Sequence, residues 1–451
     1  PILIGGEVLK KSRRALPKKS VIPLKKRTAY NESTSPKSYA GIRKRRAKAG
    51  PLRLILPRSG LEFPAPPLRV LMVLDQLNIG GTETYTLSLT RELLRKGASV
   101  LIAAKKGKLL EPFLGLGCPV YEIDFVGDDY ERDEANRSAH MAMLQSIIRT
   151  EKIDLVHAHQ VPSGIVALEA ARTLRVPFLF TVHGTYYDPA FLSVLRRSAT
   201  VTCVSPAVLR MLQNAGIQAF VVPNGVDPSE YHPLDTAYRS YLRRKLGLPQ
   251  QAPVVMYASR LSWEKADICE ETIHALTLMK QTDYPDLQLL IVGGGKKQDE
   301  IQQIVESKNE QTQSPFIHYA GEILNMNAYY SISDCVIGTG RISLEAMSCE
   351  RPLIAVGSKG FCGLVKPQRY EQIWNCWFGD HDADLPLTQT LLTEHVRKAL
   401  HEDRTDIVRN VRSGRSFVID RFHISQTTDK LIDVYAHMLK SRKDARISDL
   451  S

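Results

Sequence analysis

RVLMVLDQLNIGGTETYTLSLTRELL, residues 69–94, holds the pattern that decides the fold. RVLMVL reads as a short buried strand, the Gly-containing DQLNIGG as a turn, and the run after it as a helix near 83–96. The same alternation continues outward: SVLIAA, PVYEID, a helix near 136–150, DLVHAH, a helix near 163–173, and PFLFTVHG. TVTCVS, a helix near 206–214 and AFVVPNGVD complete a first set. Strands separated by helices of this length mean βαβ units and a parallel sheet. The pattern then restarts with PVVMYASR, a helix near 267–280, LQLLIVGGG, a helix near 297–307, FIHYAG, a helix near 325–332, DCVIGTG, a helix near 342–349 and PLIAVG. DPSEYHPLDTAYRS, between the two sets, reads as a linker. Helices near 390–410 and 425–441 close the chain, and one of them is expected to cross back to the first domain.

This gives four segments: a basic tail over 1–66, a first Rossmann-like domain over 67–230, a second over 231–400, and C-terminal helices over 401–451. At 451 residues the chain has room for two or three domains. The formal net charge of +12 is concentrated at one end. Residues 1–60 hold 17 Lys and Arg against Glu7 and Glu32, while the rest holds 43 bases against 46 acids. A Lys/Arg/Pro/Ser-rich segment of low hydrophobic periodicity cannot bury enough apolar area to offset its ordering entropy, so the tail reads as disordered. It is either a solubilising extension or a peripheral contact with anionic membrane through residues 1–60. Few aromatics interleave its charges, so specific nucleic-acid binding is not expected.

The seven cysteines show no paired metal spacing and most lie in apolar runs, which fits reduced thiols in a cytoplasmic protein. No run reaches the roughly 20 apolar residues that span a bilayer.

Open α/β sheets bind ligands beyond the carboxyl ends of their strands, so the residues there are the candidate site. After the first strand, Gly80 and Gly81 admit a ligand close to the backbone and Thr82 can cap a helix, or the turn only packs helix on strand. His157 and His159 alternate on one face; without a third ligand nearby they read as core or cleft histidines rather than zinc ligands. His183, at a strand end before Gly184, can bond a substrate hydroxyl or move a proton, or can be structural. Arg260 and Lys265 precede a helix start, a recipe for gripping a diphosphate, the alternative being a solvated pair with Glu264. Gly293 opens a GGG that permits close backbone approach. Gly338 and Gly340 free a loop ahead of Glu345, whose carboxylate can accept hydrogen bonds from a vicinal diol or simply favour the helix dipole.

Taken in order, GGTE, HGTY, VSPAVLRML, VVPNGVD, RLSWEK, LLIVGGG and LEAM with RPLIAVG resemble the family 4 glycosyltransferases of GT-B fold over about residues 68–441. The resemblance implies an α/β protein of GT-B type, with two doubly wound domains facing across a cleft. It implies a retaining, metal-independent hexosyltransferase that needs no cofactor beyond a nucleoside-diphosphate sugar as co-substrate. Its acceptor is open: a glycan, a lipid or a small molecule. Carried over by motif, Arg260 and Lys265 hold the donor diphosphate and Glu345 the ribose, with Gly81 on the diphosphate and acceptor side. His183 faces the reacting sugar, Asn224 sits at the cleft wall, and the rings of Tyr186 and Tyr187 stack on an acceptor or merely pack. The family's usual first Glu, eight residues before Glu345, is Ile337 here, and Arg341 occupies the same loop to meet a phosphate or sugar oxygen. That loss keeps two other readings open: a nucleotide-sugar epimerase, and a degenerate GT-B scaffold whose tail docks on membrane or RNA.

Overall fold

The two runs of alternating elements build two sheets. In the first half, the strands and helices are β1 (Arg53–Ile55), β2 (Arg69–Gln76), α1 (Gly81–Arg95), β3 (Ser99–Lys105), α2 (Leu110–Gly115), β4 (Val120–Glu122) and α3 (Glu134–Thr150). They continue as β5 (Leu155–Ala158), α4 (Val161–Thr173), β6 (Phe178–Val182), α5 (Pro189–Ser198), β7 (Thr200–Cys203), α6 (Pro206–Asn214) and β8 (Phe220–Val221). The second half has α7 (Thr236–Lys245), β9 (Val254–Ala258), α8 (Glu264–Thr282), β10 (Gln288–Val292), α9 (Gln298–Gln311), β11 (Ile317–Gly321) and α10 (Met326–Ile332). Then come β12 (Cys335–Gly338), α11 (Gly340–Ser348), β13 (Leu353–Gly357), β14 (Gly360–Leu364), α12 (Tyr370–Asn375), α13 (Gln389–His401), α14 (Arg404–Phe422) and α15 (Ile424–Ser448). The structure, a computed structural model, describes residues 53–55, 67–126, 134–383 and 385–448, all within the unit Ala47–Ser451.

The first sheet runs β1-β4-β3-β2-β5-β6-β7-β8 and is parallel except for β1; the second runs β11-β10-β9-β12-β13-β14 and is parallel except for β14. In each, the first parallel strand lies between neighbours reached in opposite directions, β2 between β3 and β5, β9 between β10 and β12. These are the topological switch points, where a crevice opens beyond the strand ends. The central strands β5, β9 and β10 are buried along their whole length and β2 over Val70–Leu74, as strands covered by helices on both faces must be.

The chain crosses back at its end. Val226 of PNGVD pairs with His423, donating to the Phe422 carbonyl and accepting from Ile424 N–H. Gly225 is required there, because a Cβ would lie 2.4 Å from Thr427 Oγ1 and 2.6 Å from Ile424 Cα. Beyond that crossing α15 packs on α1: Leu431, Val434, Tyr435 and Met438 share a core with Tyr85, Leu89 and Leu93.

Three local readings change. The stretch expected as a linker runs into α7 from Thr236 onward, because Asp235 accepts from Tyr238 N–H at the helix start and Arg243, Arg244 and Lys245 favour its C-terminal dipole. The helix expected near 390–410 is two helices, α13 and α14, since Glu402 leaves the helical conformation (ψ 143°) and Asp403 caps the next helix by accepting from Thr405 N–H. Within the tail expected to be disordered, RLI at 53–55 forms β1, an edge strand paired antiparallel with β4; the remainder of 1–66, with any membrane contact, lies outside the described residues. Among the described residues no helix is long and apolar enough to cross a membrane, and all seven cysteines are free thiols.

Candidate active site

The two switch points face each other. Gly80 precedes α1 in extended conformation, and a Cβ on it would meet Glu83 Oε2 at 2.3 Å and the Arg260 guanidinium at 2.7 Å. Arg260, on the loop after β9, is exposed and thus reaches the first-half loop after β2. Gly81 has open space where a Cβ would stand. Thr82 is not the cap expected of it; it lies inside α1, whose cap position is Gly80. Glu83 is buried, accepts from Gln160 Nε2 at 2.9 Å, and keeps Oε2 without a hydrogen-bond partner. Burial holds its carboxyl above the usual range, partly offset by Arg260.

The helix that carries Lys265 starts under strain. Trp263, with φ of 49°, sits just ahead of α8 in a left-handed conformation rare for a bulky residue, and is 61 % exposed. Lys265 Nζ donates to Asp380 Oδ2 at 2.9 Å. Glu264 is therefore not its partner. Asp380 belongs to the loop after α12, in WFGDH, where Trp377, Phe378 and Gly379 all have positive φ (53°, 58° and 90°). Ser358 Oγ donates to Asp380 Oδ1 at 3.0 Å. Burial alone would raise the Asp380 carboxyl, but Lys265 and then His381 outweigh it and hold it below the usual range. Tyr186 is 79 % exposed, and Arg260, Asp380 and Glu83 all lie close enough to act on its hydroxyl electrostatically. Its ring covers Gly184 and stacks on Tyr187 at 5.4 Å.

The histidines form a connected row. His157 is a satisfied core residue, bonded to Tyr435 of α15 and to Thr181, each at 2.7 Å. His159 Nδ1 lies 3.1 Å from His183 Nε2. Burial, then neighbouring imidazoles, lowers His157 and His183 to about 3, so both are neutral near pH 7. His381, beside Asp380, has its Nδ1 2.8 Å from Ser205 Oγ, which ties the second-half loop to the first half, and it lies close to the His183 backbone. Burial lowers it to about 4.

Glu345 is placed differently from its expected role as an open acceptor. It is 3 % exposed; one oxygen accepts from Arg341 Nε at 2.5 Å and the other from Tyr330 hydroxyl at 2.8 Å. Arg341 keeps one nitrogen, Nη1, without a hydrogen-bond partner. It is buried, and its second contact is Ser88 of α1 at 3.0 Å. Loop and helix register put the i and i+4 side chains on one face, where opposite charges pair. Gly338 packs against Ile342, and Gly340 (φ 55°) has Trp377 Nε1 at 2.9 Å from where a Cβ would be. At Gly293 the close approach is made by the chain itself: with φ of 135°, a Cβ would lie 1.8 Å from the Ser259 carbonyl. Asn224 is buried in the crossing segment, with Oδ1 unpartnered.

Sequence reading thus anticipated Arg260, Lys265, Gly80, Gly81 and Tyr186, which converge. It missed Glu83, Asp380 and His381. Glu83 stood inside the quoted GGTE and could have been found as a carboxylate one turn into the helix at a switch point. Asp380 and His381 lie in a stretch without periodicity, where only the adjacent FGDH acid and imidazole signalled chemistry.

Known proteins share this fold. Residues 79–230 match Glycosyltransferase Family 4, and residues 239–376 match Glycosyl transferases group 1. A subunit of the human phosphatidylinositol N-acetylglucosaminyltransferase is 24 % identical over 390 residues, spanning 79 % of this chain and 73 % of that one. The D-inositol 3-phosphate glycosyltransferase of Xylanimonas cellulosilytica is 23 % identical over 408 residues, 80 % of this chain and 93 % of that one. Among solved structures, a glycosyltransferase from Rickettsia africae superposes with a TM-score of 0.67 at 20 % identity, covering 83 % of this chain and 99 % of that one. Anabaena Alr3699/HepE, in complex with UDP-glucose, superposes with a TM-score of 0.65 at 18 % identity, covering 82 % and 99 %. With both halves matched in order and the same two-sheet fold, the chain belongs to the group 1, family 4 glycosyltransferases of GT-B fold, enzymes that transfer sugars.

Proposed function

We propose that the chain moves a sugar from a nucleoside-diphosphate donor to an acceptor, with retention and without a metal, gripping the donor diphosphate between Arg260 and Lys265. The observation that carries this reading is the meeting of the two switch points: Arg260 reaches Gly80 and Glu83, and Lys265 stands in the first turn of α8, just after the same loop. Two cations where charge develops on a departing diphosphate stabilise the transition state more than the ground state. The bond from the sugar carbon to the diphosphate oxygen breaks, the bond to the acceptor oxygen forms on the same face, and a departing phosphate oxygen takes the acceptor's proton. His183, neutral and with Nε2 shared with His159, serves this step as a hydrogen-bonding group; its low proton affinity is poorly matched to that of a general base near pH 7. Tyr186, exposed at the mouth, offers a ring to the acceptor. A ribose contact at Glu345 uses a remaining lone pair of a carboxylate already bonded to Arg341 and Tyr330.

Slow hydrolysis of a nucleotide sugar is the expected basal activity, read by released nucleotide across UDP-, GDP- and ADP-sugars. Arg260→Ala or Lys265→Ala is expected to lower it by about 10²–10³-fold, the loss typical of one charge-stabilising donor. Variants as active as the wild type would remove the diphosphate grip from this reading. The closed Glu345–Arg341 pair favours one alternative, a donor-binding scaffold, which binding without any hydrolysis would select.

A further inference from the structure

We propose that Asp380 is the carboxylate that accepts hydrogen bonds from the donor sugar, supplied by the loop 376–381 in place of the acid absent at position 337. This assignment deepens the nucleotide-sugar reading and rests on it. Ile337 is fully buried in β12, in a core with Tyr257 and Ile354, so that strand brings no charge to the cleft. Just beyond β12 lies the WFGDH loop itself. Thr339 Oγ1 donates to the carbonyls of Trp377 (3.3 Å) and Phe378 (2.9 Å), and Gly340 leaves room for the Trp377 indole.

Three successive left-handed residues then turn the chain back so that Asp380 points at Lys265. Such backbone persists only where the surroundings hold it. Here Lys359 N–H donates to Gly379 O, and a Cβ on Gly357 would collide with Asp380 N at 2.6 Å. The carboxylate is oriented from one side by Ser358 Oγ on Oδ1, and its Oδ2 rests on the cation assigned to the diphosphate. The neighbouring His381 lies 2.8 Å from Ser205 Oγ of the first half and close to the His183 backbone. The loop therefore runs from the cation assigned to the diphosphate towards the residue assigned to the reacting sugar, with Asp380 between them. An acceptor-only group with several lone-pair directions suits a ring presenting neighbouring hydroxyls, and repels a ring carrying its own carboxylate.

Calorimetric titration of the full chain with UDP, UDP-glucose and UDP-glucuronate, with GDP and GDP-mannose alongside, tests the assignment. The wild type is expected to bind UDP-glucose or GDP-mannose about tenfold or more tighter than the bare nucleotide, a gain in the range of a hydrogen bond to a charged group, and to bind UDP-glucuronate more weakly than UDP-glucose. In Asp380→Asn that sugar increment falls towards one, discrimination against UDP-glucuronate shrinks, and the bare nucleotide binds as well as before or better, because Lys265 is released. Ser358→Ala, which keeps the charge, is expected to lose part of the increment with nucleotide binding unchanged. If Asp380→Asn weakens bare nucleotide and sugar nucleotide by the same factor, Asp380 only orients Lys265 and the assignment is overturned. It is equally overturned if the wild type binds the nucleotide with no sugar increment. Failure of the wild type to bind any of the five probes, or ADP-glucose, overturns the nucleotide-sugar reading itself.

Discussion

Arg341→Ala is expected to destabilise the protein by about 3–5 kcal/mol, the cost of removing one partner from a buried ion pair. The guanidinium and the Glu345 carboxylate are both nearly inaccessible, joined at 2.5 Å, and only the Tyr330 hydroxyl would remain to satisfy the stranded charge. The loss has a second component, since Arg341 also bonds Ser88 and so ties α11 to α1. The sign depends on leaving a charge alone, not on losing an attraction. Replacing the cluster together, with Arg341→Met, Glu345→Leu and Tyr330→Phe, is therefore expected to recover most of the stability, because desolvation of the pair offsets much of its Coulomb gain. Urea unfolding of the wild type, the single variant and the triple variant reads both effects. A single variant within about 1 kcal/mol of the wild type would show that the site admits water and that the pair is not buried in solution.

The second large effect is acid sensitivity above the range of ordinary carboxylates. His157 and His183 are lowered to about 3 and His381 to about 4, in each case chiefly by burial; His159 lies well below its ordinary value for the same reason. An imidazole whose folded pKa lies below its unfolded value of about 6.5 binds more protons when unfolded, so stability rises with pH between the two values. It is complete above about pH 6.5 and is lost as pH falls towards the folded pKa. At pH 5 each such imidazole removes ~2 kcal/mol, from roughly 1.36 kcal/mol per pH unit over about 1.5 units. Glu83 opposes this weakly, since its raised pKa relieves a cost as pH falls, and Asp380 begins to lose its contribution only near and below pH 4. Urea midpoints at pH 7, 6 and 5 should fall steadily, and His157→Gln should flatten part of the slope. Midpoints unchanged from pH 7 to pH 5 would mean that the histidine row is hydrated.

How much of this was legible in the sequence depends on the range of each interaction. The two sheets were readable because strand and helix periodicity is local: RVLMVL and PVVMYA carry the burial of central strands in their own composition. The switch-point residues Gly80, Arg260 and Lys265 were readable for the same reason, since the position after a strand is fixed by chain order. The boundaries at α7 and between α13 and α14 were missed because single capping aspartates, Asp235 and Asp403, outweighed the surrounding composition.

Partners were not legible. Lys265 finds Asp380 across 115 residues of chain and Arg341 finds Ser88 across 253, and neither pairing has a local signature. Glu345 reads in the sequence as a helix-starting acid free to meet a ligand; the tertiary structure closes it on Arg341 and Tyr330. By itself, then, the sequence determined the two α/β sheets and the order of the loops at their switch points, since hydrophobic period and turn chemistry act over a few residues. Only the tertiary structure decided which charges in those loops are paired with one another and which stay exposed, because burial and ion pairing depend on what the folded chain brings alongside.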